Sequence, residues 1–449
     1  MNDIDELADY LRGNMTQLTS DALVDAVLLG TRNGVLNSGD RLPTIQALSE
    51  RLQLSTSTIS RAWSSLVQMG VVETKRRGGS RIVKPVQATS YRTRGIDRSK
   101  FKHNLAASYP DLALQVDLGA VLAKVGRRGT FNGYAGKDEI SPVLQEELLT
   151  RLGYEPESLM LANDVIGALP RVLQAVAHRG STVGVGDPEF PLYPIILKQA
   201  GMSTAPIPFG EDGYEVEALE RALTSGVKAL IVQTRVHNPT GRKVPSGNLR
   251  KIAKLLREHD ALAIEIDHHG ALVPKKHVRL ASLAPERVIL MTSFAKDIHP
   301  DVRVASIAGP ASVMERVSVW RAGGDWVSGV NRMILEVCLT DRGVLSGIER
   351  ARVEYDRRRD YFKTAFAEQG LHIRSNAGLS LWVPVLSEQS AMVSLAAKGI
   401  SVAGGSAFTS RRTNQDHVHL SLGSLGSATE YLCREVLSAA LIEDIRSPF

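Results

Sequence analysis

The sequence predicts a multidomain chain: a small α+β domain at the N-terminus, then a larger α/β domain with a mainly parallel sheet. Three observations carry that expectation. The chain has 449 residues, too many for one ordinary hydrophobic core. The opening stretch reads as helices followed by a short hairpin, whereas strand-like and helix-like runs alternate from about residue 112 onward. The charge is also unevenly placed: between Arg41 and Lys102, thirteen lysines and arginines face three acids, inside a chain of net charge +6. A basic block in a balanced chain points to a polyanionic partner.

Composition narrows the class. With 43% hydrophobic and 23% charged residues the chain is globular, and no apolar run is long enough to span a bilayer. The acidic start, Met1 to Tyr10, argues against a secretory signal. Cys338 and Cys433 provide neither metal-ligand spacing nor a disulfide framework. A cytoplasmic protein without a membrane partner is expected, associated with the nucleoid if the basic block meets DNA.

Residues 1–85 are expected to form the first domain. Leu23, Val24, Val27 and Leu28 recur at helical spacing, and the turn Asn37-Ser38-Gly39-Asp40 follows. Thr44 caps a second helix that buries Ile45, Leu48 and Leu52. Ser55 caps a third, Thr56 to Met69, whose inner face carries Ile59, Trp63 and Leu66. Two short strands flank the basic turn Lys75-Arg76-Arg77-Gly78-Gly79-Ser80. Three helices and a basic hairpin make a winged helix-turn-helix. Gly39-Asp40-Arg41-Leu42-Pro43-Thr44 and Ser57-Thr58-Ile59-Ser60-Arg61-Ala62 resemble the GntR family of regulators. The resemblance implies operator DNA as partner, with the third helix in the major groove. Ser55, Ser57, Thr58 and Arg61 would touch bases and phosphates, while Arg41, Lys75, Arg76 and Arg77 would hold the backbone. Residues 86–110, polar and basic, read as a linker.

Residues 111–449 are expected to form the second domain. Its strand candidates are Thr182–Val185, Ala229–Gln233, Ala261–Ile266, Arg287–Met291 and Val304–Ala308. Between the last two lies Ser293-Phe294-Ala295-Lys296, with Arg303 seven residues beyond the lysine. A carbonyl cofactor carrying a phosphate requires such a set: an amine for the carbonyl, a hydroxyl and an arginine fork for the phosphate. Three more segments stand at carboxyl ends of strands, where open α/β sheets bind ligands. They are Asp187-Pro188-Glu189-Phe190, His237-Asn238-Pro239-Thr240-Gly241, and Asp267 after Ile264-Glu265-Ile266.

In this order the four segments resemble fold-type-I aminotransferases, which use pyridoxal 5′-phosphate. Together with the N-terminal domain they resemble the MocR subfamily of GntR regulators. The likeness implies that Lys296 carries the cofactor and Phe190 stacks on its ring. Asn238 would donate to its phenolate oxygen, Asp267 pair with its ring nitrogen, and Ser293 and Arg303 take its phosphate. Tyr134 would reach the cofactor of the other subunit in a head-to-tail homodimer. Three departures bear on function. Asp164-Val165 replaces a small-residue pair whose amides bind phosphate, and an acid there is unfavourable unless it points away. His268, His269 and Gly270 stand where a tyrosine usually follows the aspartate, and His419 stands where relatives clamp a carboxylate with arginine. Arg411 and Arg412 lie close in sequence. The expected function is a transcription regulator that senses the cofactor or its amine adduct, possibly controlling vitamin B6 or amino-compound metabolism. A competent aminotransferase and a regulator without cofactor are the alternatives.

Overall fold

The computed structural model describes residues 4–15, 17–37, 39–68, 71–75, 79–82, 101–128, 131–133, 139–274, 277–321, 325–411 and 414–443. The chain divides into two compact units, Met1–Gly95 and Ile96–Phe449.

The first unit holds helices α1 (Ile4–Gly13), α2 (Ser20–Arg32), α3 (Ile45–Leu52) and α4 (Thr56–Gln68), then strands β1 (Val72–Lys75) and β2 (Gly79–Ile82). Side-chain caps start three of the helices: Thr19 accepts from the Ala22 amide at 3.2 Å, Thr44 from Ala47 at 3.2 Å, and Ser55 from Thr58 at 3.1 Å. The apolar faces meet in one core of Leu11, Leu23, Val27, Leu48, Ile59, Trp63 and Leu66. Helix α1 corrects the three-helix expectation. Its Leu7, Ala8 and Leu11 recur at helical spacing and bury against that core, although the acidic residues around them dominate the composition. The wing is an antiparallel pair, with Val72 opposite Ile82 and Lys75 opposite Gly79. Arg76 and Arg77 lie outside the described residues.

In the second unit β3 (His103–Asn104) comes first, and its residues belonged to the expected linker. It pairs in parallel with a late strand, and Leu105 and Ala106 beside it are buried. Two apolar residues in a polar stretch are too weak a periodic signal to read as structure. The main sheet contains β4 (Ser158–Ala162), β5 (Thr182–Asp187), β6 (Ser203–Gly210), β7 (Gly213–Tyr214), β8 (Ala229–Val232), β9 (Leu262–Asp267), β10 (Val288–Ser293) and β11 (Ala305–Gly309). Their spatial order is β4-β11-β10-β9-β8-β5-β6-β7. From β10 through β9, β8 and β5 to β6 every pairing is parallel, while β11 runs antiparallel to both neighbours.

Both faces of this sheet are covered, so β8, β10 and β11 are buried at every position. Alternation assigns Ile264, Ile266 and Met291 to one core and Ala263, Val288 and Leu290 to the other. The strands β12 (Ser380–Val385), β13 (Ile400–Ser401), β14 (Ala403–Gly404) and β15 (Asp416–Ser421) come last. Strand β13 is the partner of β3, and β12-β15-β14 form an antiparallel sheet that places Trp382 opposite His419. It shares a core with the long helix Arg342–Ala367 through Phe362, Phe366, Leu381, Val383 and Val418. Among the described residues no helix is long and apolar enough to cross a membrane.

Ile59 sits fully buried in the first unit's core. Ile59→Ala should therefore cost about 2–5 kcal/mol. Calorimetry should find the N-terminal unit's transition lowered and the large unit's unchanged.

Candidate functional site

The marked residues stand where the parallel strands end. Asp187 closes β5, Asp267 closes β9, and Ser293 closes β10. Asn238 follows β8 in a turn closed by two backbone bonds, His237 to Arg242 and Gly241 to His237, both 2.7 Å. Lys296 lies in the turn after β10, and Gln115 anchors that turn by donating to the Lys296 carbonyl at 3.2 Å. Burial lowers the Lys296 amine to about 8, with nearby Asp267 opposing the shift. The lowered value brings the amine closer to the deprotonated form that a nucleophilic lysine needs.

Asp267 is the most heavily bonded group of the site. Its Oδ1 accepts from the amides of His269 at 3.1 Å and Gly270 at 3.0 Å, and its Oδ2 meets Arg235 at 2.5 Å and Arg279 at 3.0 Å. Burial alone would push this carboxyl up, but the two guanidinium groups outweigh it and hold it well below the usual carboxylate range. Four donors fill the roughly four acceptor positions that a carboxylate offers. Neither arginine was singled out in the sequence. Arg235 did leave a signal, because a charge between a buried strand and Asn238 must find a partner; Arg279 left none.

The aromatic side of the site is built from Phe190, Tyr193 and His268. Phe190 packs edge-on to Tyr193 at 5.4 Å and to His268 at 6.1 Å. The Tyr193 hydroxyl hydrogen-bonds His268 Nε2 at 2.9 Å. Burial takes His268 down to about 3, helped by Lys296, so this imidazole is neutral. Behind these rings Glu189 accepts from the Phe190 amide at 2.7 Å and from Gln233 Nε2 at 2.6 Å. The same Gln233 Nε2 reaches the Asn238 carbonyl at 3.3 Å, so one buried amide positions two marked residues. Burial raises Glu189 to about 8. The Asn238 amide oxygen is itself buried without a hydrogen-bond partner.

The three departures have definite geometries. Gly270 adopts φ +49, and a Cβ there would lie 2.4 Å from Asp297 Oδ2, so the site has no room for a tyrosine at that position. His419 is buried on β15 with Nε2 3.3 Å from Ser108 Oγ. Arg411 is largely exposed, its Nε 3.7 Å from Asp187 Oδ2. Asp164 does not point away: its Oδ2 lies 2.7 Å from Arg303 Nη2. Tyr134 and Arg412 are outside the described residues.

For pyridoxal 5′-phosphate, the lowered-pKa amine of Lys296 fits the aldehyde and the Phe190 ring face fits the ring, while Asn238 would donate to the phenolate oxygen through its amide nitrogen. Ser293 and Arg303 fit the phosphate, although Arg303 is already paired. In the other unit Ser55, Ser57 and Arg61 are exposed and Thr58 is half-buried. Ser55 Oγ lies 2.8 Å from both Ser57 Oγ and Thr58 Oγ1, forming a hydroxyl cluster at the start of α4. Arg41 is exposed and bridges to Arg81 of the wing, while Lys75 ends β1.

Arg235→Met should destabilise the chain, toward the lower end of about 3–5 kcal/mol because Arg279 remains. A depressed carboxyl adds stability above its unfolded pKa of about 4 and loses it as pH falls toward the folded value. Losing Arg235 raises the folded value, so acid unfolding followed by circular dichroism should begin at higher pH in the variant.

Comparison with known proteins places both units. Residues 103–435 match the aminotransferase class I and II family, and residues 19–82 match the bacterial regulatory proteins of the gntR family. The vitamin B6 salvage pathway transcriptional repressor PtsJ of Salmonella typhimurium is 26% identical over 396 residues, covering 87% of this chain and 91% of that protein. The pyridoxine biosynthesis transcriptional regulator PdxR of Corynebacterium glutamicum is 26% identical over 344 residues, 73% of this chain and 74% of that one. Among solved structures, kynurenine aminotransferase from Pyrococcus horikoshii superposes with a TM-score of 0.67 at 19% identity, over 76% of this chain and 90% of its own. Aspartate aminotransferase from Thermus thermophilus gives 0.63 at 23% identity, over 76% and 91%. The chain belongs to the aminotransferase class I and II family and, with its gntR-type module in front, is a regulator of the MocR type.

Proposed function

We propose that this regulator binds operator DNA through α4 and the wing, and binds pyridoxal 5′-phosphate at Lys296, whose occupancy alters its affinity for DNA. The head-to-tail homodimer, with Tyr134 completing the partner's site, belongs to the same proposal. Two relatives are named for control of vitamin B6 pathways, which supports the coenzyme itself as the signal.

The observation that carries this reading is the state of Asp267. Bound to a lysine, the coenzyme supplies an electron sink, and it does so best when an acidic partner keeps its ring nitrogen protonated. Asp267 would have to provide that partner, yet its acceptor positions are engaged by Arg235, Arg279 and two amides. The remaining residues support binding over turnover. Lys296 offers an amine with a pKa of about 8, and Phe190 with its Glu189 support offers a fixed ring face. His419 offers no fork for a substrate carboxylate, because one imidazole cannot make the two parallel bonds of a guanidinium.

Three outcomes are expected. Reductive trapping of pyridoxal phosphate by borohydride should label Lys296, rise with pH through a midpoint near 8, and vanish in Lys296→Ala. Absence of any trapped adduct with excess coenzyme would sink the cofactor assignment. Arg61→Ala should weaken operator binding by about 1–3 kcal/mol. Alanine at Arg76 or Arg77 should weaken all sequences alike and flatten the salt slope by about one unit each. Finally, loaded and unloaded protein should differ in operator affinity, since a ligand that favours neither state shifts nothing. Equal affinities, with sustained keto-acid release from an amino donor, would instead mark an enzyme.

A further inference from the structure

We propose that Asp164 is a built-in substitute for the coenzyme's phosphate and sets both the affinity and the phosphate selectivity of the Lys296 site. This inference rests on the cofactor reading above. Asp164 follows β4 and caps the helix Val165–Val176, its Oδ1 accepting from the Gly167 amide at 2.7 Å. Its Oδ2 lies 2.7 Å from Arg303 Nη2, the guanidinium that would hold a phosphate. One carboxylate thus takes a helix N-terminal amide and the anchoring arginine together, the two kinds of donor that a bound phosphate uses.

The surroundings are shaped for this arrangement. A Cβ on Gly167 would stand 2.9 Å from Asp164 Oδ2, so glycine leaves the room that the carboxylate occupies over the helix end. The pair is also exchangeable. Arg303 retains 52% of its side-chain exposure and Asp164 26%, and ion pairs that wet hold only weakly. An incoming phosphate dianion binds an arginine fork more strongly than a carboxylate does, but it must displace Asp164 and then tolerate that charge beside it. The penalty falls on phosphorylated ligands alone, because a ligand without phosphate leaves the Asp164–Arg303 pair intact. For a regulator the consequence is reversible occupancy: the site empties when the coenzyme becomes scarce, where an unopposed arginine would retain it.

The test uses the full chain with Asp164→Asn and Asp164→Ser. Both keep an oxygen for the helix cap and remove the charge, Asn keeping the shape of Asp and Ser shortening it, so folding of the helix is preserved. Binding of pyridoxal 5′-phosphate and of pyridoxal is followed by absorbance titration and equilibrium dialysis, with inorganic phosphate as competitor. Both variants should bind pyridoxal phosphate about tenfold or more tightly than the wild type, which corresponds to about 1.4 kcal/mol. Inorganic phosphate should compete better in the variants, and pyridoxal affinity should stay within about twofold. Unchanged or weaker pyridoxal phosphate binding in the variants would overturn the role of Asp164 while leaving the cofactor reading standing. An equal gain for pyridoxal would also overturn it, since the effect would then not pass through phosphate. If none of the three proteins binds either compound, the cofactor reading falls, and this inference falls with it.

Discussion

The buried carboxylate of Asp267 is the constraint on which the large unit's site depends. A charge at the end of a covered strand is tolerable only if it is fully bonded, and the four donors around it come from three separate places in the chain. Each donor is fixed in turn. Arg235 also reaches the carbonyls of Gly270 at 3.2 Å and Val273 at 3.0 Å, and Arg279 reaches those of Arg151 at 3.0 Å and Leu152 at 3.1 Å. The end of β8, the turn after β9 and the end of the helix Pro142–Leu152 are thereby tied to one anion.

Under the proposed function, this arrangement separates holding a coenzyme from using it. Lys296, Phe190 and Asn238 offer conventional chemistry: a deprotonable amine, a ring face and an amide. The ionic groups differ, because Asp267 and Arg303 each arrive already paired within the chain. A site whose charges are satisfied internally is stable when empty, which suits the proposed two-state regulator. An enzyme gains from the opposite condition, with charges held ready for the transition state. The fold is shared with aminotransferases, and the proposed sensing role rests on the electrostatics of the site, as expected when function lives in the site and not in the scaffold.

The first unit follows simpler physics. Its helices are short, α2, α3 and α4 are each started by a hydroxyl cap, and each helix buries one apolar stripe in a common core. The same caps shape its outer face, since Ser55, Ser57 and Thr58 share a hydroxyl cluster at the start of α4 while Arg61 stands exposed one turn further on. Capping and the proposed DNA contacts thus draw on the same few residues.

Much of this was legible from residue patterns, because the relevant interactions are local. Helix caps act over three residues, buried strands read as apolar runs, and the Ser293–Lys296–Arg303 spacing runs from the last residue of β10 into the connection to β11. The sequence by itself therefore determined the two-unit organisation, the parallel sheet, and which residue types gather at its carboxyl edge. What it could not determine are contacts between residues far apart in the chain, where spacing carries no information. Arg279 reaching Asp267 beside Arg235, Gln233 joining Glu189 to Asn238, and Ser108 meeting His419 all arise from how the sheet is wound. Helix α1 and the pairing of β3 with β13 were missed for a related reason: their apolar signals are short, and tertiary burial alone selects them. The orientation of Asp164 shows the division most clearly. Its sequence position marks an acid at a helix start, but only the fold decides that the acid turns onto Arg303, because the arginine arrives from a turn 139 residues away along the chain and beside it in space.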